Sequence, residues 1–242
     1  MERLPPRSRL DRRQALALLA RGGALLVVGC GTSPDSSGCV LAPVMTAGPY
    51  WHDDELQRGD LRWDSQPIGG DGPLPGVPLS LTIRVTTPVA ESCRSLRGAR
   101  VDLWQCDAQG LYSGVSDRGT GGHDFLRGFQ VTDGAGGVRF LTVYPGWYPG
   151  RTVHIHAKVR TFDPFGVVVT DVSTQLFFDD AITDAVLATQ AYAGRGPRDT
   201  RNATDAILAG QPARLVSLTG DVQSGLQGDV ELGVRIGDIQ RG

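Results

Sequence analysis

Charge of one sign is what this sequence has least of. Its 24 basic and 26 acidic residues, in 242, leave a formal net charge of −2. There is no basic excess to gather a nucleic-acid backbone, so no nucleic-acid partner is expected, and no block of like charge reads as a tail. Long helical periodicity is scarce, with Asp180 to Tyr192 the one good helical candidate. No unit recurs at a fixed period. Of the four cysteines none lies in a CxxC arrangement, which argues against a thiolate zinc site. No apolar stretch is long enough for a spanning helix. Histidines also number only four: His52, His123, His154 and His156.

What is plentiful is glycine, at 33 residues, and proline, at 15, beside a 40% apolar content that suffices for a core. Such a composition favours short strands joined by turns. Period-two alternation runs through Leu79–Val85 and Arg100–Cys106, the latter stopping at the turn Asp107-Ala-Gln-Gly110. Gly128–Thr132 and Val138–Tyr144 flank Asp133-Gly-Ala-Gly-Gly137 as a hairpin. Further strands are predicted at Thr152–Val159, within Val167–Phe178, and over 212–220 and 228–236. The expected fold is all-β, a β-sandwich with one short helix and an irregular N-terminal arm over 46–76.

The first thirty residues have the layout of an export signal. Arg7, Arg9, Arg12 and Arg13 precede an apolar stretch from Ala15 to Val28, broken by Arg21-Gly-Gly23, and the stretch ends Val27-Val28-Gly29-Cys30. Arg12-Arg13 resembles a twin-arginine signal. Val-Val-Gly-Cys resembles a bacterial lipobox, in which Cys30 carries lipid and becomes the N-terminus; an ordinary cleaved signal with Cys30 incidental is the alternative. The following Gly-Thr-Ser-Pro-Asp-Ser-Ser-Gly is composed like a flexible tether. The expectation is a signal over 1–30, a linker over 31–45 and one domain over 46–242. The protein would be exported, tethered through Cys30 to the outer face of a bacterial membrane, or secreted. Cys39, Cys93 and Cys106 would remain in an oxidising compartment, where at most two can pair. Cys93 and Cys106 flank one predicted strand and are the preferred pair, with Cys39 left open as a partner.

The chemistry centres on His154 and His156. At i and i+2 on one strand they share a face, about 7 Å apart, within reach of one ion. Just upstream, Tyr144-Pro-Gly-Trp-Tyr148-Pro-Gly-Arg151 is a rigid aromatic turn that can aim a side chain inward. A further tyrosine, Tyr112, follows the turn after Leu103-Trp-Gln-Cys106. Two imidazoles with tyrosine phenolates form a hard, anionic N/O set that suits Fe(III) better than zinc. A free tyrosine ionises near pH 10, so only a strong Lewis acid holds it as phenolate near neutrality.

These segments resemble the intradiol ring-cleavage dioxygenase family, in its exported single-domain branch. Leu103-Trp-Gln-Cys-Asp-Ala-Gln-Gly-Leu-Tyr112-Ser is similar to the segment carrying the family's first tyrosine ligand, and Thr142-Val-Tyr-Pro-Gly-Trp-Tyr148 to the segment ending in the second. Arg151-Thr-Val-His154-Ile-His156 resembles its Arg-x-x-His-x-His, Gly48-Pro49-Tyr50-Trp51 its Gly-Pro-aromatic pocket segment, and Ser173-Thr-Gln175-Leu its glutamine segment. The likeness runs from about Gly48 into the 190s. Three features depart from the family pattern. The link from Tyr148 to His154 is short, and Ala47 stands where a Glu is often found; no helical dimerisation domain precedes the motifs either.

The resemblance implies Fe(III) on Tyr112, Tyr148, His154 and His156, with a catechol-type substrate and O2. Tyr148 would give way to the substrate and take a catechol proton. Arg151 would stabilise the negative charge of the reacting ring, Gln175 would orient Arg151 or the substrate, and Pro49 and Tyr50 would shape the pocket. The product would be a muconate-type diacid. Strict strand parity puts Arg151 opposite His154, so Pro149-Gly150 must bend the chain for that role.

Duller roles are expected of other residues. Tyr144, Trp104 and Trp147 read as packing, His52 and His123 as solvent-facing, and Asp53-Asp-Glu55 as a solvated loop. The rival readings are a non-catalytic, surface-tethered β-sandwich binding module and a zinc hydrolase. The hydrolase lacks a well-placed carboxylate near the histidine pair.

Overall fold

Alternation decides the faces of the first strand. In β1 (Pro78–Val89), Leu79, Leu81, Ile83 and Val85 are buried, whereas Ser80, Thr82 and Arg84 face outward. The computed structural model describes residues 39–66 and 72–240. β1 is the spine of one sheet. It pairs antiparallel with β5 (Gly137–Val143) along its first half and with β2 (Ser92–Ser95) along its second. On its other edge it runs parallel to β9 (Gly225–Gly233), beyond which lies β8 (Ser217–Asp221). The second sheet is antiparallel throughout, in the order β4 (Arg127–Val131), β3 (Arg100–Trp104), β6 (His154–Phe162) and β7 (Val168–Phe177). The two sheets form the expected sandwich, with Leu81, Ile83, Val101, Leu103, Phe140, Ile155 and Ala157 in the core between them. Among the described residues the one α-helix is α1 (Asp180–Leu187), whose N-cap Asp179 accepts hydrogen bonds from the amides of Ala181 and Ile182. It is shorter than its periodicity predicts. The chain resumes as a 3-10 helix over Gln190–Arg195, which Gly196 and Pro197 end.

β6 departs from simple alternation, because His154 through Arg160 are all buried. Ile155, Ala157 and Val159 face the core. The opposite face, with His154, His156, Lys158 and Arg160, is covered by the N-terminal arm. Trp51 packs on Trp104 with ring centres 4.7 Å apart, Asp53 pairs with Arg160 at 2.7 Å, and Glu55 with Arg100 at 2.8 Å. The acidic run is therefore not simply a solvated loop. The sheet face beneath it carries buried Arg100, Asp102 and Arg160, and charges withdrawn from water need partners. The arginines hold the Asp53 carboxyl below its usual range, through the hydrogen bond from Arg160 above all.

Two further expectations are corrected. The disulfide joins Cys39 to Cys93, with Cα atoms 5.2 Å apart, and Cys106 is a buried free thiol. The reason is geometric: cysteines that flank a strand are held apart by it, and β3 alone spans five residues at roughly 3.3 Å each. The linker also ends earlier than expected. Residues 31–38 lie outside the described residues, but 39–45 pack on the domain. Cys39, Ala42 and Met45 are buried, and Leu41 bridges to Gly233. The signal and Cys30 also lie outside the described residues.

Candidate active site

The pairing of β3, β6 and β7 sets the stage. His156 lies opposite Trp104 on one side and Gln175 on the other. His154 and His156 share the arm-covered face, and their Nε2 atoms are 3.2 Å apart. His154 Nδ1 donates to the Thr152 carbonyl at 2.6 Å, which leaves a lone pair on Nε2. Trp104 stacks flat on the His156 ring, centres 4.9 Å apart and planes 7° from parallel. Gly48, in the left-handed region at φ +71°, lies so close that a Cβ there would stand 3.3 Å from His156 Cε1.

The tyrosines come from two loops. Tyr148 Oη lies 3.1 Å from His154 Nε2. Tyr112 is buried, edge-on to Tyr148 at 5.8 Å between centres, and its hydroxyl has no hydrogen-bond partner. Gly110, at φ +77°, lets the loop before Tyr112 pass against the Trp147 carbonyl, where a Cβ would collide at 2.2 Å. The loops bearing Tyr112 and Tyr148 are thereby locked together.

Electrostatically, the cluster is neutral at pH 7 and crowded with lone pairs. Burial pushes the His154 imidazolium down to about 3, helped by Arg151, and pushes His156 well below its ordinary value, helped by His154. Burial also raises the Tyr148 phenol to about 12 and the Tyr112 phenol well above 10. One His154 lone pair meets Tyr148 Oη, His156 Nε2 and, at 3.4 Å, Arg151 Nη1. His156 Nδ1 and Tyr112 Oη make no hydrogen bond of normal geometry, although the Tyr112 and Tyr148 hydroxyls are near enough to shift each other's ionisation. A cation beside His154 Nε2 and His156 Nε2 would use their lone pairs and take the place of the phenol protons of Tyr148 and Tyr112, so the residues fit a metal ion. Among the described residues, no group of three or more His, Cys, Asp or Glu could hold one. The donor set is therefore imidazole and phenol, not the carboxylate-containing set of a zinc hydrolase.

Arg151 stands clear of the parity problem, because β6 begins only at His154. Gly150, at φ +83°, turns the chain, and the Arg151 amide closes back on the Tyr148 carbonyl. Arg151 Nη2 donates to Gln175 Oε1 at 2.5 Å, and Nε to Asp205 Oδ2 at 2.9 Å. Gln175 is anchored in turn, its Nε2 donating to the Thr46 carbonyl at 3.0 Å. Asp205 was not foreseen. It lies 54 residues from Arg151 in a loop with no motif, and only the fold brings it in.

A cavity of about 310 Å³ opens beside the cluster, walled by Tyr50, Tyr112, Tyr148 and Pro149. Tyr50 stacks on Tyr112 at 4.7 Å and so is a pocket wall. Pro49 is a correction: it is exposed and lines no part of the cavity, because the turn after Gly48 directs it outward. Tyr144 is packing, its hydroxyl 2.7 Å from Thr183 Oγ1. His52 is exposed, whereas His123 is half-buried and bonded to Asp64 at 2.8 Å. A larger apolar groove, of about 410 Å³ between α1 and the β8–β9 hairpin, contains neither histidine nor tyrosine.

Two imidazoles and two phenols thus lie together at one end of a β-sandwich, beside a small aromatic cavity, a donor set of the type that hard metal ions take. Residues 47–194, more than half of the chain, match the family described as Dioxygenase, and the chain belongs to its intradiol ring-cleavage dioxygenases. The fold is similar to an intradiol ring-cleavage dioxygenase from Tetranychus urticae, with TM-score 0.68 and 28% identity over 84% of this chain and 98% of that one. It is also similar to the dioxygenase domain of a dioxygenase carbohydrate-binding protein fusion from Streptomyces sp. SirexAA-E. There the TM-score is 0.58 and the identity 28%, over 81% of this chain and 99% of that one. A chlorocatechol 1,2-dioxygenase of Pseudomonas putida is 32% identical over 35% of this chain and 36% of its own, so the match spans about a third of that curated relative. Membership places the chain among oxidoreductases and displaces the reading as a non-catalytic binding module.

Proposed function

We propose that the chain cleaves a catechol-type ring between its two hydroxylated carbons, using O2 and a ferric ion held by Tyr112, Tyr148, His154 and His156. The product is a cis,cis-muconate type diacid. Both atoms of O2 enter it, so no external reductant is consumed. The observation that supports this reading is the gathering of buried His154, His156 and Tyr112 with half-buried Tyr148, where Tyr112 Oη makes no hydrogen bond of normal geometry and His154 Nε2 has three competing neighbours. When bound, the ferric ion would draw charge from a catecholate and open its ring carbons to O2.

The chain's own residues supply the rest. The Thr152 carbonyl and the Trp104 face fix the two imidazoles. Tyr148 is the less buried of the two tyrosines and borders the cavity, so its oxygen is placed to take a proton from a substrate hydroxyl. Arg151, held by Asp205 and Gln175, directs a fixed positive charge at the place where the ring becomes negative.

We infer further that the protein works outside the cytoplasm on a lipid anchor at Cys30. The Cys39–Cys93 disulfide suits an oxidising compartment. No helix among the described residues is long and apolar enough to cross a membrane. Cys30→Ser should release the protein from the host's membrane fraction.

The test of the central reading is direct. Aerobically purified, iron-loaded protein should be burgundy, consume O2 with a catechol and give an ultraviolet-absorbing muconate. A yellow semialdehyde would mean cleavage beside the diol, and a colourless iron-loaded protein would remove the phenolate ligands from the account.

A further inference from the structure

The cavity beside the cluster presents one charged side chain, Arg118, and nothing neutralises it. Among the described residues Arg118 makes no ion pair and no side-chain hydrogen bond, unlike the neighbouring arginines. Arg127 is bonded to the carbonyls of Tyr50 and Ser113, Arg151 to Asp205 and Gln175, and Arg195 to the Trp147 carbonyl. The other walls are glycine, proline, aromatic or aliphatic, and no carboxylate is among them. Asp117, next in sequence, is exposed and lines no wall.

The base of Arg118 is fixed. It ends the 3-10 turn Ser116–Arg118, which Gly119 closes at φ +78°. Buried Thr120 ties this loop to the site: its Oγ1 donates to the Tyr112 carbonyl at 2.6 Å, and its own carbonyl accepts from the Gly114 amide at 2.9 Å. The loop that displays Arg118 is therefore keyed to the backbone of a proposed metal ligand. The volume of about 310 Å³ is at the small end of the roughly 300–1,000 Å³ typical of ligand sites, which suits one ring with a short substituent.

We propose that this site takes catechols bearing an anionic substituent, a carboxylate on the ring or on a short chain, and that Arg118 is the residue that reads it. The inference rests on the ring-cleaving function proposed above. Tyr112, Tyr148 and Arg118 line the same small cavity, so a ring whose hydroxyls are directed at the two tyrosines would bring a ring substituent within reach of Arg118, where a guanidinium meets a carboxylate as a charge-assisted, forked pair. A cationic substituent would meet Arg118 with no carboxylate to offset the repulsion.

The experiment compares 3,4-dihydroxybenzoate and 3,4-dihydroxyphenylacetate with 4-methylcatechol and 4-(2-aminoethyl)catechol, on iron-loaded wild type, Arg118→Gln and Arg118→Glu. Wild type should favour the acids. In Arg118→Gln the ratio of kcat/KM for the acids to that for 4-methylcatechol should fall about tenfold or more, chiefly through KM, as suits loss of a bond to a charged group. The wild-type preference should shrink as salt rises, because Arg118 is exposed. Arg118→Glu should turn the preference toward the amine. Calorimetric binding of the same four compounds under nitrogen gives the same comparison without turnover. An unchanged acid-to-methyl ratio in both variants, or a wild type that prefers 4-methylcatechol, would overturn the inference while leaving ring cleavage standing. Acid-selective, Arg118-dependent binding with no ring opening of any catechol would instead support the inference and sink the proposed reaction.

Discussion

Asp205 grips Arg151 and the turn that carries it with one oxygen: Oδ2 accepts from Arg151 Nε at 2.9 Å and from the Thr152 amide at 2.8 Å. Asp205 thus positions two groups at once, the guanidinium beside the cluster and the carbonyl that orients His154. Burial works to raise its carboxyl, but the amides of Thr152 and Leu208 and the Arg151 guanidinium together hold it below the usual range. Asp205→Asn keeps the shape but removes the charge. It should lower kcat by about tenfold, the scale of a lost charge-assisted bond, with iron content unchanged. Metal analysis beside oxygen uptake checks this; a variant with normal kcat would free Arg151 from any need of Asp205.

Removal of His156 is a harsher test. His156→Ala takes one of four proposed donors and the ring on which Trp104 stacks. Iron and the visible band should both be lost, as read by metal analysis and absorbance. Full iron with a normal band would show that the metal sits elsewhere.

Tyr148→Phe separates binding from turnover. The hydroxyl that would accept a substrate proton goes, while the ring against Tyr112 stays. Catechol affinity should change little and kcat should fall by about 100-fold, the lower range for loss of a general base. Single-turnover kinetics in air distinguish the two; an unchanged kcat removes Tyr148 from proton transfer.

His154 and His156 also tie stability to pH in the metal-free protein. Both are held far below 6.5 when folded, so between pH 6.5 and the folded values the unfolded chain binds protons that the native one does not. Stability is full above 6.5 and is lost as pH falls, with a limiting slope of about 1.4 kcal/mol per pH unit for each histidine. The melting temperature should drop between pH 7 and 5. Repeating the melts after iron loading should show a steeper loss at low pH, because protons then compete with the metal as well.

The disulfide gives a prediction away from the site. It closes a loop of sequence separation 54, for which the loop-closure model gives at most about 4 kcal/mol. Cys93→Ser should lower the melting temperature substantially yet leave iron content intact, because Trp51, Asp53 and Glu55 hold the arm independently. Thermal melts with metal analysis decide it; loss of iron at unchanged stability would reverse that division of labour.

The proposed ligand set was legible because strand periodicity and aromatic-rich turns are local signals. His154 and His156 are two residues apart, Pro-Gly turns flank Tyr148, and the turn Asp107-Ala-Gln-Gly110 precedes Tyr112. The sandwich was legible for the same reason, through alternation such as that of β1. What long-range assembly decides was not. Asp205 carries no motif, and Cys39 finds Cys93 only once the lead-in lies against β2. Asp53 and Glu55 looked like a solvated run because the arginines that hold them stand on strands 45 and 107 residues away. Pro49 was misplaced because a motif fixes which residues are neighbours in sequence, not which of them faces inward.

The parallel pairing of β1 with β9 has a consequence for how the protein is made. Leu79 meets Leu226, and Thr86 meets Gly233, so the spine of the first sheet waits for nearly the whole domain to be synthesised before its second edge is covered. A nascent chain that stops short of Leu226 presents that edge bare, with open amides and carbonyls that another chain can pair with. Slow translation across the stretch before Gly225 would lengthen that exposure, and a chaperone that masks β1 in the interval would protect the yield of folded protein.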